Sequence, residues 1–325
     1  MKSFKFHIRR TKYYIKKTIH FFTIKIWLIS AQVGLSTFKK AWYKVSRILS
    51  IAIEKFVENR CPTSASDLTY YTLFAVVPFF AIAYGVAISM GMETVLNEQI
   101  YSAFSGQGAL SEKLIEFAQK TIAETKGGLV TIVASAFFLW AIFSMLESIE
   151  TNMNQVWNVD KKRNFGKRML GYLLFTIFGP VLLVAGSGVN IFISANIIEA
   201  IADETIQNSL SILTSFLIPI AVFSFLFFLI YQVVPNRKIK IRSSLVAAII
   251  AGAAFQILQY YYFNIQMSIS AYNTIYGSFA VLPLLLIWVR MSWMIVLFGA
   301  ELAFAIEHEN DFISSRQSRQ PFRKP

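Results

Sequence analysis

Six long apolar stretches divide this chain, with polar residues gathered into the segments between them: Leu68–Met90, Leu129–Leu146, Met169–Ile193, Leu210–Val234, Ser243–Gln266 and Ile275–Ala300. Each runs 18 to 26 residues, and only the last holds a charged residue, Arg290. At 1.5 Å rise per residue each is long enough to cross about 30 Å of hydrocarbon. The pattern predicts an all-α polytopic membrane protein with six transmembrane helices. Residues 1–57 would form basic amphipathic helices at the cytoplasmic interface, 58–308 the six-helix domain and 309–325 a basic cytoplasmic tail.

A different periodicity precedes the first span. From Ser36 to Val57 the apolar residues Phe38, Trp42, Val45, Leu49, Ile53 and Phe56 recur at three and four, with Lys39, Lys40, Lys44 and Arg47 mostly elsewhere on the wheel. This predicts a helix lying in the interface with Trp42 at headgroup depth. Phe4 to Ile29 mixes basic and aromatic residues similarly and predicts a second such helix. In the longest outer segment, Gly91 to Gly128, Leu114, Phe117, Ala118 and Ile122 share a helical face, so one or two short helices are expected there.

Charge orients the spans. Of 31 Lys and Arg, 27 fall in segments on one side of the six crossings and 3 on the other, against 10 and 8 acids. Cytoplasmic loops retain Lys and Arg, so both termini are expected inside the cell. The net charge of +13 follows from that partition. It makes anionic lipid headgroups at the cytoplasmic face the expected partner and nucleic acid an unfavoured one. Lys25 interrupts the only apolar run near the start, so no cleavable signal peptide is expected. A hydrophobic fraction of 55% and a mean hydropathy of +0.53 fit a membrane bundle.

Four prolines, Pro78, Pro180, Pro219 and Pro283, fall in spans one, three, four and six. They are candidate helix breaks, placed on the first and third helix of each half, as in inverted-repeat transporters whose freed carbonyls face a cavity. Arg290 is the costliest residue by position, on the order of 3 kcal/mol on insertion scales. It is expected to face the bundle interior or water, with Gln256 and Gln259 or carbonyls freed by Pro78, Pro180 or Pro219 as candidate partners, and with Tyr70 and Tyr71 it makes a candidate binding site for an anionic group. A second constellation, Asp67, Glu147, Glu150, Asn154 and Glu301, is a candidate cytoplasmic gate. Its plainer use is pairing with Arg60, Lys161, Lys162 or Arg163 and capping helix ends, with Asp67 at an N-terminus and Glu301 closing helix six.

Catalytic patterns are missing: there is no Gly-rich phosphate loop, no HExxH and no paired histidine. Cys61 is the only cysteine and His7, His20 and His308 are the only histidines, so no metal site, disulfide or cofactor is expected.

Three segments carry a family resemblance. They are Ala65-Ser-Asp-Leu-Thr-Tyr-Tyr running on to Pro78, Asn154-Gln-Val-Trp157 followed by Lys161, Lys162 and Arg163, and Tyr276-Gly-Ser278 leading through Trp288 to Gly299-Ala-Glu301-Leu302. In this order the chain resembles the YihY/BrkB family of bacterial inner-membrane proteins, once labelled ribonuclease BN. The resemblance implies six spans in the cell membrane and a part in envelope function or transport. Two residues depart from it: Asp67, where a small or apolar residue is usual, and Arg290, where an uncharged one is expected. The function expected from residues and resemblance together is a transporter or flippase-like protein for an anionic or amphipathic envelope molecule, not an enzyme. The alternatives are a non-catalytic scaffold for an envelope complex and, remotely, a ribonuclease.

Overall fold

The computed structural model describes Trp27, residues 36–103, Glu112, Ile115, Glu116, Gln119, Lys120 and residues 129–159, 203–271 and 281–318. Among these residues the fold is entirely helical, with no strand. The elements are α1 (Thr37–Glu58), α2 (Cys61–Ser89), α3 (Glu93–Ala103), α4 (Leu129–Val156), α5 (Glu204–Val233), α6 (Ile241–Ala271) and α7 (Val281–Ser318). Three helices, α5, α6 and α7, are long and apolar enough to cross a membrane, over Thr205–Val233, Ile241–Gln266 and Pro283–Arg316. Span three with Pro180, the segment from Phe4 to Ile29 apart from Trp27, and Lys161, Lys162 and Arg163 lie outside the described residues.

Several boundaries differ from the apolar stretches, because hydropathy reports hydrocarbon thickness rather than where a helix stops. The first span belongs to a helix that begins at Cys61, directly after a turn in which Arg60 takes φ 53°, the left-handed region uncommon outside glycine. Asp67 therefore sits in the second turn, exposed, and caps nothing. Glu301 does not close helix six, since α7 continues to Ser318. α2 and α5 run unbroken through Pro78 and Pro219, and Pro283 lies within α7 two residues after the first described one, Val281. Where a cap is seen, it is Asp203, whose carboxylate accepts the Thr205 and Ile206 amides at 2.8 and 3.2 Å at the start of α5.

In the outer segment α3 forms one short helix; Leu114, Phe117, Ala118 and Ile122 of the expected face lie outside the described residues, and Glu112, Ile115, Glu116, Gln119 and Lys120 among them are helical. Ile100 and Ile115 pack there with Tyr84 of α2, whose hydroxyl donates to Glu93 at 2.7 Å and accepts from Gln119 Nε2 at 2.7 Å.

Around α7 the packing closes: it touches α1, α2, α4, α5 and α6. Its contact with α5 depends on a missing side chain. Tyr231, fully buried on α5, donates to the carbonyl of Val296 at 2.9 Å, and a Cβ at Gly299 would stand 2.9 Å from Tyr231 Cζ and 2.9 Å from Ala251 Cβ. Gly252 similarly admits the backbone of α5, its added Cβ falling 2.9 Å from the amide nitrogen of Ser224. Small residues at such crossings let helices in lipid approach closely enough for dispersion and hydrogen bonds to hold them.

The amphipathic helix is present as α1, but its faces are used in reverse of the rule for soluble proteins. Phe38, Trp42, Val45, Leu49 and Ile53 are all exposed, Phe38 at 81% and Trp42 at 60%. The face packed on the protein contains Ser46, Arg47, Ile51 and Ala52. Arg47 donates through Nε and Nη2 to Glu309 Oε1 at 2.9 and 2.8 Å, Arg316 pairs with Glu54, and Phe56 meets Phe298 edge-on at 5.7 Å. The ion pairs bind α1 to the polar end of α7 and leave the apolar stripe turned outward.

Overpacking such a crossing costs about 1–3 kcal/mol. Gly299→Ala is therefore expected to lower the melting temperature of the detergent-solubilised protein. The double variant Tyr231→Phe, Gly299→Ala should lose less than the two single losses combined, because both act on one contact.

Candidate functional site

Two polar constellations occupy the helical core. The first lies where α2, α4 and α7 meet the α5–α6 connection. Glu301 is completely buried on α7; its Oε1 accepts from Asn59 Nδ2 at 2.7 Å and from the Cys61 thiol at 3.6 Å, while Oε2 has no hydrogen-bond partner among the described residues. The turn supplying Asn59 is tied to α4, since Gln155 Nε2 donates to the Asn59 carbonyl at 3.1 Å. The preceding residue on α4, Asn154, accepts the Asn236 amide at 2.8 Å, so α4 and the α5–α6 connection are joined through a buried side chain. Glu150 is 4% exposed on the same helix.

Below this, Trp157 is buried against Phe304 and His308, with the Arg237 guanidinium 5.8 Å from its ring. His308 Nδ1 lies 3.0 Å from the Phe304 carbonyl, which can only accept. The proton therefore sits on Nδ1, leaving Nε2 as acceptor toward Arg237 at 3.4 Å. Glu307 accepts the Lys240 amide at 3.0 Å.

Of the five expected gate residues, the fold gathers Glu150, Asn154 and Glu301 as buried groups near one end of the bundle. Asp67 and Glu147 are exposed. The stripe Glu147, Glu150, Asn154, Trp157 continues helix two, yet only its last three members turn inward.

The second constellation was half visible in the sequence. Gln256 and Gln259 carry Oε1 atoms that are buried and unbonded among the described residues, and the row continues to Tyr262 and Gln266, whose importance sequence reading missed. The steps of three, three and four place all four on one side of α6. Tyr262 is 7% and Gln266 2% exposed; the Tyr262 hydroxyl and both Gln266 amide atoms lack partners among the described residues, as does Trp288 Nε1, whose ring lies 5.1 Å from that of Tyr262. The available signal was the recurrence of glutamine at 256, 259 and 266 in an otherwise apolar helix. Each such atom costs about 1–3 kcal/mol when buried unsatisfied.

Arg290 does not join this row. It is exposed on another side of α7, where its Nε donates to Ser66 of α2 at 3.1 Å. Of the two sides expected for it, Arg290 takes the exposed one: successive positions on a helix are about 100° apart, and its neighbour Val289 is the one turned inward. Tyr70 is exposed near Ser66, and its ring stacks edge-on with Tyr71 at 5.7 Å. Tyr70 and Arg290 thus share the α2–α7 side, away from Gln256 and Gln259. Among the described residues no three His, Cys, Asp or Glu side chains converge as metal ligands.

Long apolar helices, small-residue crossings and polar atoms buried along a span define a polytopic helical membrane protein. Residues 52–323 match the family described as Virulence factor BrkB, and the chain belongs to that family. It is similar to a UPF0761 membrane protein of Chromohalobacter salexigens, 30% identical over 265 residues covering 80% of this chain and 63% of that one. A UPF0761 membrane protein of Pseudomonas aeruginosa is 32% identical over 256 residues, 76% of this chain and 60% of its own. One from Haemophilus influenzae is 28% identical over 260 residues, 78% of this chain and 93% of its own. The chain thus spans less than two thirds of the length of the first two. No solved structure matches it.

Two measurements check this geometry. Burial, and secondly the Glu301 carboxylate, push the Cys61 thiol up from its ordinary range, so it stays protonated at neutral pH. N-ethylmaleimide is expected to alkylate it slowly in the folded protein and fully in dodecyl sulfate; equal rates would contradict its burial. Gln266→Leu removes two unpaired polar atoms, so it is expected to leave the melting temperature unchanged or raised.

Proposed function

We propose that this protein is a six-span transporter of flippase type, with both termini in the cytoplasm of a bacterial inner membrane. It moves an anionic or amphipathic envelope molecule by changing shape, without covalent chemistry. The observation that carries this reading is the row Gln256, Gln259, Tyr262 and Gln266, with Trp288 beside it: polar atoms buried along a membrane-length helix with no partner among the described residues. In hydrocarbon such groups are expensive, and neighbouring helices normally satisfy them. Water or the hydroxyl, amide and phosphoryl groups of a passing molecule would supply the missing bonds. The 27 to 3 division of basic residues supports the orientation. The buried acids Glu150 and Glu301 lie toward the cytoplasmic end in that orientation, as a gate would.

Reconstitution tests the reading. Proteoliposomes containing fluorescently labelled phosphatidylglycerol are expected to expose inner-leaflet label to an impermeant quencher faster than protein-free vesicles. The double variant Gln259→Leu, Gln266→Leu is expected to cut that rate at least tenfold, about 1.4 kcal/mol of barrier. Rates equal to protein-free vesicles, for labelled lipid and for anionic solutes alike, would refute transport.

A further inference from the structure

The α2–α7 side of the molecule carries a pairing that the polar row does not use. Arg290 lies eleven residues before Glu301 along α7, about 16 Å by helical rise, within a segment long and apolar enough to span. Yet it is exposed, and its single hydrogen bond uses Nε, leaving the two terminal nitrogens without partners among the described residues. A guanidinium at that depth needs oxygen atoms from somewhere.

Continuous with it runs an exposed aromatic track. Ser66, Tyr70 and Phe74 follow at steps of four along α2; Tyr70 meets Phe74 at 4.8 Å, Phe74 meets Phe137 of α4 at 6.3 Å, and Phe137 meets Trp140 at 5.6 Å. Tyr70 is 57%, Phe137 44% and Trp140 55% exposed, so four rings form one open surface beginning at a cation.

We propose that this surface is a docking site for a single phospholipid with an anionic phosphate headgroup. The phosphate takes the free edge of the Arg290 guanidinium, with Ser66 holding that group in place through Nε, and an acyl chain lies along Tyr70, Phe74, Phe137 and Trp140. Charge complementarity selects the occupant: the planar fork of arginine matches two phosphate oxygens, and the rings offer an apolar bed of matching direction. This deepens the transport reading by naming the substrate class and its lateral entry point.

The test is retention of defined lipids by the purified, delipidated full chain, read by native mass spectrometry. Dioleoylphosphatidylglycerol is expected to remain bound to the wild-type protein and to be retained at least tenfold less by Arg290→Gln, with Arg290→Lys intermediate. Dioleoylglycerol, which has the same chains without phosphate, should not be retained. Phe74→Ala with Phe137→Ala should weaken the lipid several-fold while Arg290 is intact, which keeps the test valid if Arg290→Gln fails to fold. Equal retention of dioleoylglycerol and phosphatidylglycerol would overturn the proposal. So would millimolar inorganic phosphate displacing the lipid from wild-type protein, which would make the site one for free phosphate, or a two-chain mass free of lipid, which would give the face to a second copy. Selective retention without translocation would sink only the transport reading; translocation with unselective retention would sink only this site.

Discussion

Helices in hydrocarbon gain nothing from covering one leucine with another, so everything in this structure depends on how closely their backbones approach and which polar groups then meet. The governing contact is between α5 and α7, where the absence of a side chain at Gly299 lets Tyr231 reach the Val296 carbonyl. That approach fixes α5 against the helix that also contacts α1, α2, α4 and α6. On the same helix Glu301, two residues further along, is buried against Asn59 and Cys61, and Trp288 is seated over Tyr262 of α6.

Polar chemistry is then divided among three sides of α7. One end holds acids buried with Asn59, Cys61 and Asn154; the middle of the α6 side holds unpaired amides and a hydroxyl; the α2 side holds an exposed cation beside stacked rings. The division separates groups whose burial is structurally settled from groups still short of partners. Asn154 and the Lys240–Glu307 contact secure the α5–α6 connection, whereas Gln266 secures nothing among the described residues.

Much of the architecture was legible because a membrane helix advertises itself by uninterrupted apolarity. α4 and α6 include the whole stretch expected for them, α5 ends one residue short of its stretch at Val233, and α7 holds the described part of its stretch, Val281 to Ala300. What escaped were features that apolarity does not encode. α2 begins early and α7 ends late because polar residues continue a helix beyond the lipid. Pro78 and Pro219 proved not to be breaks, since α2 and α5 continue through them. The direction of Arg290 depends on rotation about the helix axis, which composition leaves open; Gln256 and Gln259 were recognisable, while Tyr262 and Gln266 mattered only once Trp288 was seen beside them. For α1 the period was correct, and the apolar stripe it marks is the exposed one.

At 38 residues, α7 is about 57 Å long, roughly twice the hydrocarbon thickness, and the half from Glu301 onward is packed into the core through Glu301, Leu302, Ala303, Phe304 and Ala305. α1 is bolted to that half through Arg47–Glu309 and Glu54–Arg316. Through those two pairs the tilt of α1 is tied to that of the far end of α7, so neither helix can turn in the interface without the other.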